Sequence, residues 1–428
     1  MQSSACWGTM GKVENSERSK ALKIGIVGGG AAGLFAAIGA AENGAEVLLF
    51  EKNPFFGKKI RITGKGRCNL TNDCAVPEAE EKIVRGAKFL RTALYHLPPR
   101  GVMDLFTRWG VPLKTERGGR VFPVSDKAAD IAEALIRKAR SFPKTRAVFE
   151  EVREIEKKDS FWIRTEKREY AVERVILCCG GMSYPLCGST GDGYRFAERF
   201  GHTVTPPLPS LIPLKTKEDV SSLAGLSPKN VTFTVKTRAG KKVFSQMGEM
   251  LFTHFGVSGP LVLSASAYLD WEKEKEYLGL IDWKPALTPE EVRARLQRDL
   301  AEFKNKDLIH ALEALLPKKA IAPFLEKAGA DPRKKASEIT KEERERLAAN
   351  LKADPLTLTG TRPIAEAIVT RGGVKLSEVD PRTMESKRQK GLYLAGEMLD
   401  ADALTGGFNL QIAFSTGYLA GKRSAGEA

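Results

Sequence analysis

The apolar positions of this chain recur with two periods. Lys23 to Val27 (KIGIV) is a short apolar run that ends at glycines, which predicts a buried parallel strand. Ala31 to Asn43 carries Leu34, Phe35 and Ile38 among alanines at helical spacing, with Gly44 as a natural stop. Val47 to Phe50 (VLLF) is a second buried strand, so the fold opens with a strand–helix–strand unit. Ala128 to Arg140 predicts an amphipathic helix; Val148 to Ile155 and Phe161 to Thr165 alternate as strands. Arg174 to Cys178 is another buried strand, closed by Gly180 and Gly181. Composition changes at Pro206, Pro207 and Pro209. Beyond them, Val231 to Val243 alternates around a turn at Ala239 and Gly240, and Met250 to Phe255 is one more strand. Pro289 to Leu351 is charged, helical and poor in β-branched residues. Gly372 and Gly373 mark a return, and Gly391 to Ala428 supplies a last strand and helix.

These patterns predict an α/β fold. A Rossmann-like dinucleotide domain is expected from both chain ends, residues 21–205 and 372–428, with an insert over 206–371. The insert divides into β-rich parts, 206–284 and 352–371, and a helical part, 285–351. Residues 1–20 lack the apolar centre of a signal peptide and are expected to form a flexible tail. Ile24 to Ala41 and Leu404 to Gly421 are uncharged, but both break into strand, turn and helix patterns. No membrane span is expected from either.

Length and charge narrow the picture. At about 150 residues per domain, 428 residues suggest two or three domains. The hydrophobic share of 42% excludes a disordered chain. Lys and Arg number 68 against 53 Asp and Glu, a net charge of +15, which favours a polyanionic partner or simply solubility. Six cysteines are too sparse for a disulfide framework, and four scattered histidines argue against a structural zinc site. The reducing cytoplasm is the expected setting, and no metal is expected.

The candidate chemistry begins with GIVGGGAAG, Gly25 to Gly33. Gly28, Gly30 and Gly33 fit G-x-G-x-x-G, and the string follows a strand and opens a helix at Ala31 and Ala32. Gly28 permits the tight turn, Gly30 lets the backbone approach a diphosphate, and Gly33 lets helix and strand pack closely. The helix N-terminus offers free N–H groups to the phosphates. Glu51, eighteen residues after Gly33, can accept hydrogen bonds from ribose hydroxyls. Next comes GKKIRITGKGRCNLTN, Gly57 to Asn72, with five basic residues and no acid. Its Lys58, Lys59, Thr63, Gly64, Gly66 and Arg67 suit a dinucleotide that runs past the diphosphate; a solvated basic loop is the alternative. Near the far end, a strand closes at Gly396 and Glu397 and a helix begins between Gly407 and Asn409. That second helix N-terminus could stabilise negative charge on a reduced flavin ring, or merely complete the sheet.

Together these segments resemble the BaiN/YhiN-type FAD flavoproteins, also labelled the aminoacetone oxidase family. The pieces are GIVGGGAAGL, EKNPFFGKKIRITGKGRCNLTN, GRVFPVS (Gly119 to Ser125), GGMSYPLCGSTGDGY (Gly180 to Tyr194), FTHFGVSGP (Phe252 to Pro260), TRGGV (Thr370 to Val374), TMESK (Thr383 to Lys387) and the C-terminal segment. The resemblance implies tightly held FAD and an insert with a β-barrel-like part and a helical part. It implies that Gly28, Gly30, Ala32, Gly33, Glu51, Lys52, Lys59, Gly64, Arg67, Cys68 and Asn69 line the FAD, with Ala31, Lys58, Thr63 and Gly66 beside them. Val152 would be the adenine-side contact. Gly180, Gly181, Gly396, Glu397, Gly407, Asn409, Leu410 and Gln411 would close around the flavin end. Where flavoproteins of this broad type often carry Ala-Thr-Gly, this chain has Cys178, Cys179 and Gly180, so the turn survives without the hydroxyl.

The resemblance implies several substrates: uracil in ribosomal RNA, reduced to dihydrouracil; a bile-acid-type enone; or an aminoketone-type amine. A flavin-bearing RNA-binding protein without catalysis is a further alternative. Basic runs at Lys229, Lys236, Arg238, Lys241 and Lys242, at Arg137, Lys138, Arg140, Lys144 and Arg146, and at Arg333, Lys334 and Lys335 are what a phosphate backbone would need. Two residues compete as proton donor. Cys68 is expected to face the flavin, its thiol pKa lowered by Arg67 and Lys65, with a packed small residue touching FAD as the alternative; His254 is the other, with a strand histidine bonded inside the insert as its alternative. GSTGDG, Gly188 to Gly193, has the wrong spacing for a second dinucleotide site, so NAD(P)H is expected to bind only transiently as electron donor. Oligomeric state is left open.

Overall fold

The computed structural model describes residues 21–426; the tail expected over residues 1–20 lies outside them. A five-stranded parallel sheet forms the centre. Its order is Leu392–Leu394, Arg174–Leu177, Lys23–Val27, Glu46–Phe50, Thr145–Val148. Strands from both chain ends therefore lie side by side, Val175 opposite Leu392 and Gly25 opposite both Val175 and Leu48. Buried on both faces, they need continuous apolar runs rather than alternation, as KIGIV and RVIL have. A three-stranded antiparallel sheet, Val152–Lys157, Phe161–Thr165 and Glu169–Val172, covers one face. The stretch expected as one strand from Val148 to Ile155 is broken at Phe149–Glu151, where the chain leaves the parallel sheet and enters the antiparallel one.

Helix Ala31–Glu42 packs along helix Phe408–Ser424. The contact is backbone to backbone: a Cβ on Gly417 would lie 2.2 Å from the Ala32 carbonyl oxygen, and one on Gly421 would lie 2.2 Å from that of Ala36. This is why both stretches are so rich in Gly and Ala. Among the described residues, no helix is long and apolar enough to cross a membrane.

The insert leaves and returns through a two-stranded ribbon, Val204–Ser210 against Val369–Val374. The prolines at 206, 207 and 209 lie within this ribbon, whose register shifts between Thr205 and Leu208. Proline cannot donate to a ladder, so a bulged edge strand suits it. Gly372, with φ +79, sits where a Cβ would meet the Pro206 carbonyl oxygen at 2.3 Å. Beyond the ribbon stands a seven-stranded antiparallel sheet, with helix Lys341–Lys352 packed on it and helices Pro289–Glu302 and Lys318–Lys327 joining the same core. Each domain has its own apolar core. A small third cluster of Leu211, Ala267, Val369 and Leu404 fills the junction between them.

Candidate cofactor cleft

The first turn explains its glycines one by one. Gly28 has φ +106, and a Cβ there would lie 2.4 Å from the Cys178 carbonyl oxygen on the neighbouring strand. At Gly33 a Cβ would lie 1.8 Å from the Gly28 carbonyl oxygen. At Gly30 a Cβ would meet no heavy atom within 4 Å. Folding therefore demands the first two, while the third opens a cradle in front of the helix. Gly30 caps that helix with no side-chain hydrogen bond and no acid follows in the first turn, so its positive end faces the cradle uncompensated. Glu51, at the end of the second strand, is buried, and its Oε2 accepts the Gly29 N–H at 2.9 Å. Its Oε1 accepts from the backbone N–H and the side-chain amide of Asn53 at 2.8 and 2.7 Å. The carboxylate is thus held rigidly at the cleft wall.

Further along, Lys52 Nζ contacts Asp192 Oδ2 at 2.5 Å and Thr190 Oγ1 at 2.6 Å. Burial opposes the charge on Asp192, but Lys52 and Thr190 outweigh it and hold the carboxyl below the usual range. Lys59 Nζ donates to Glu397 Oε2 and to Ser183 Oγ, both at 2.7 Å. Glu397 Oε1 accepts from Ser183 Oγ at 2.9 Å and from the Thr370 N–H at 2.9 Å. Residues remote in the chain are thereby locked across one wall. Ser183 and Thr370 had no individual role in the sequence, although both lie in segments quoted for the resemblance. The second helix starts at Gly407, again with no side-chain cap and no acid in the first turn. Asn409 braces the loop before it, its Oδ1 accepting the Ala403 N–H at 3.0 Å and its Nδ2 donating to the Ala403 carbonyl at 2.8 Å.

Both helix N-termini border one elongated cleft of about 1750 Å³, open solvent at its mouth included. Its reach from one helix N-terminus to the other suits an extended dinucleotide. Gly28, Gly30, Ala31, Ala32, Glu51, Lys52, Lys58, Lys59, Thr63, Gly64, Asn69, Val152, Gly180, Glu397, Gly407, Asn409 and Leu410 all line it. Sequence reading passed over Asn53, Ser189, Asp192 and Thr405, which also line it; a polar residue one or two places from a recognised one leaves no periodic signal.

Other expected residues stand elsewhere. Gly33 packs within the turn, as its contact with Gly28 requires. Gly66, with φ +83, is an exposed turn residue. Arg67 is held by Glu116 and by Asp126 at 2.6 Å, and stacks 4.3 Å from the Phe122 ring. Cys68 is wholly buried outside the cleft wall, and burial pushes its thiol up to about 12. The expected lowering by Arg67 and Lys65 is therefore reversed, because desolvation outweighs a guanidinium already committed to two carboxylates. Gly181 packs on Thr370, and Gly396 donates its N–H to Thr416 Oγ1 at 3.0 Å. Gln411 is buried and spent on Leu97, Ser415 and Thr71. His254 is an exposed turn residue between strands Leu251–Thr253 and Gly256–Ser258, its ring against Phe255, and does not line the cleft.

The residues present fit FAD. The cradle before Gly30 is open, two uncapped helix ends face one cleft, and Asn69 Oδ1, on the wall, is buried with no hydrogen-bond partner. A buried polar atom without a partner is rare in a finished fold and calls for a ligand group. Sheet, cradle and acid define a Rossmann-type dinucleotide-binding protein, and its family and relatives make it an FAD-dependent oxidoreductase. The chain belongs to the family described as HI0933-like protein Rossmann domain, whose model matches residues 22–423. It is 35% identical over 412 residues to the 3-dehydro-bile acid delta(4,6)-reductase of Clostridium scindens, covering 94% of this chain and 99% of that one. It is 31% identical over 398 residues to the ribosomal RNA dihydrouridine synthase of Haemophilus influenzae, covering 92% and 96%. The protein of that name in Escherichia coli is 30% identical over 399 residues, covering 92% and 95%. These relatives agree with the BaiN/YhiN-type resemblance.

Proposed function

We infer that the protein reduces uracil to dihydrouracil in ribosomal RNA, with NAD(P)H as transient electron donor. The observation that carries the RNA reading is the hairpin of strands Val231–Thr237 and Lys242–Gly248. On and beside it stand Lys229, Lys236, Arg238, Lys241 and Lys242, none in an ion pair among the described residues. Many cations elsewhere are paired internally; Lys334 meets Glu343 at 2.8 Å and Lys335 meets Asp307 at 2.7 Å. Uncommitted cations are what a phosphate backbone recruits. Two of the relatives are named for this activity on ribosomal RNA.

Bound FAD would supply a hydride for the β-carbon of a conjugated carbonyl. Glu51 would hold the ribose end, and the helix starting at Ala31 would hold the diphosphate. The Lys59–Glu397 pair fixes the wall between the two ends. Leu211, Val369 and Leu404 give the cleft apolar walls, and the helix starting at Phe408 presents its uncapped N-terminus to it.

A small enone as substrate is the second reading, favoured by those apolar walls and by the reductase relative at 35% identity. Deleting the gene and mapping dihydrouridine in total RNA decides between them: one ribosomal position should revert to uridine and be restored by the gene. Unchanged modification, with anaerobic reoxidation of the flavin by a small enone, would establish the second reading. Flavin that neither NADH nor NADPH reduces would refute the donor assignment and favour a purely structural flavin.

A further inference from the structure

The basic run from Arg137 to Arg146 lines no part of the cofactor cleft. It leaves the end of helix Ala128–Arg140 and continues onto strand Thr145–Val148, the edge of the parallel sheet, against which that helix packs. Between Ala134 and Phe149 the chain carries five cations and no acid. Arg137, Arg140, Lys144 and Arg146 are exposed, and none of the five forms an ion pair among the described residues. The flanking acids are spent elsewhere, Glu133 on Arg61 and Glu150 on Thr165 Oγ1, both at 2.6 Å.

Two phenylalanines break the polarity of this edge. Phe149, just past the strand, is 39% exposed, and Phe55, remote in the chain, is 42% exposed. The buried Phe56 joins them to the cations. Its ring centroid lies 4.8 Å from that of Phe149, and the Arg140 guanidinium lies 5.6 Å from the same ring. The Arg61 guanidinium lies 5.6 Å from the Phe55 ring. Cations on an edge strand also guard against pairing with another chain, but a guard has no use for exposed phenylalanine. Rings and guanidinium planes among uncommitted cations are what single-stranded nucleic acid needs: bases stack on the first and phosphates meet the second. A duplex keeps its base faces covered and offers such a surface its phosphates alone.

We propose that this sheet edge is a second RNA contact that takes an unpaired stretch of the substrate. Phe55 and Phe149 stack on its bases, and the cations from Arg137 to Arg146 hold its phosphates. The assignment rests on the RNA reading above. It divides recognition between the domains: the insert's hairpin holds backbone, and the Rossmann edge selects single-stranded over paired RNA.

The test uses the FAD-loaded full chain and a fluorescein-labelled RNA of about twelve nucleotides, within the span such surfaces cover, either single-stranded or annealed to its complement. Binding is followed by fluorescence anisotropy over a range of salt. The wild type should prefer the single strand. Replacing Phe55 and Phe149 together by Ser should raise the Kd for the single strand about tenfold or more, leaving duplex binding and the salt slope unchanged. Replacing Arg137, Arg140, Lys144 and Arg146 by Ser should weaken both RNAs and flatten the single-strand slope by roughly 0.7 per lost phosphate contact. Phe149→Trp keeps a stacking face and should bind like the wild type, which separates stacking from lost packing on Phe56; FAD content should hold throughout. A serine pair that binds the single strand as tightly as the wild type, or a Phe149→Trp variant as weak as that pair, would overturn the assignment. If replacing the hairpin cations still abolished binding, the RNA reading would stand without it. Wild-type protein that binds neither RNA would overturn both.

Discussion

Gly30 and Gly33 occupy one helical turn and require glycine for opposite reasons. Gly33 is needed by the fold, since a Cβ there would strike the Gly28 carbonyl at 1.8 Å. Gly30 is needed by what enters the cradle, since nothing of the protein stands within 4 Å. Gly33→Ala should therefore lower stability by about 1–3 kcal/mol, as overpacking does, with FAD lost as a consequence. Gly30→Val should leave denaturant stability of the apoprotein near wild type and abolish FAD retention, measured from the absorbance of purified protein. Glu51→Arg should also yield colourless protein, because it removes an acceptor and adds a cation beside the positive helix end; a yellow, fully loaded variant would contradict this. The spacing of these glycines and of Glu51 was legible in the sequence, because each acts on its own backbone or its immediate neighbours. The environment of Cys68 was not. Its neighbours in sequence are cations, but its neighbours in space exclude water, and Arg67 turns away to Glu116 and Asp126.

At the scale of elements, two features carry predictions. The helices Ala31–Glu42 and Phe408–Ser424 touch backbone to backbone at Gly417 and Gly421. Gly417→Ala should part them, cost about 1–3 kcal/mol in chemical denaturation and weaken FAD binding, because both N-termini move relative to the cleft. The second feature is the segment TMESK. Ser386 Oγ accepts the N–H groups of Arg388 and Gln389 at 3.0 and 2.9 Å, so its own proton goes to His202 Nε2 at 2.7 Å. That leaves the His202 proton on Nδ1, facing Glu378 Oε2 at 3.4 Å. The arrangement has the order of a hydrolytic triad, but it is buried and does not line the cleft, so it is a clamp. The Arg388 guanidinium, then the Thr203 N–H, pull the Glu378 carboxyl down to about 2. Its stabilisation is complete above the ordinary carboxylate value of about 4.3 and drains as pH falls toward the folded value. Burial lowers the His202 pKa despite Glu378, so its contribution falls as pH drops below about 6.5. Acid unfolding should thus begin near the histidine range and steepen in the carboxylate range. Glu378→Gln should cost about 1–3 kcal/mol at pH 7 and flatten the lower limb, read from denaturant titrations between about pH 3 and 8.

At the scale of the molecule, the ribbon of Val204–Ser210 and Val369–Val374 sets the insert against the cofactor cleft. Ion pairing separates one basic run from the others: Lys334 and Lys335 serve the insert's own helices, while the hairpin cations and the run from Arg137 to Arg146 form no ion pair among the described residues. Replacing Lys236, Arg238, Lys241 and Lys242 by Ser should weaken RNA binding across sequences. It should also reduce the slope of log affinity against log salt by roughly 0.7–0.9 per lost phosphate contact, measured by filter binding. Flavin content should not change. The sequence by itself determined the dinucleotide turn, the strand–helix–strand start and the closing strand and helix, because glycine conformation and apolar period are properties of a few consecutive residues. Only the tertiary structure decided which charges are spent, which thiols are dry and that Lys59 meets Glu397 on the cleft wall. Pairing, desolvation and shared walls depend on residues far apart in the chain, and no local pattern encodes their meeting.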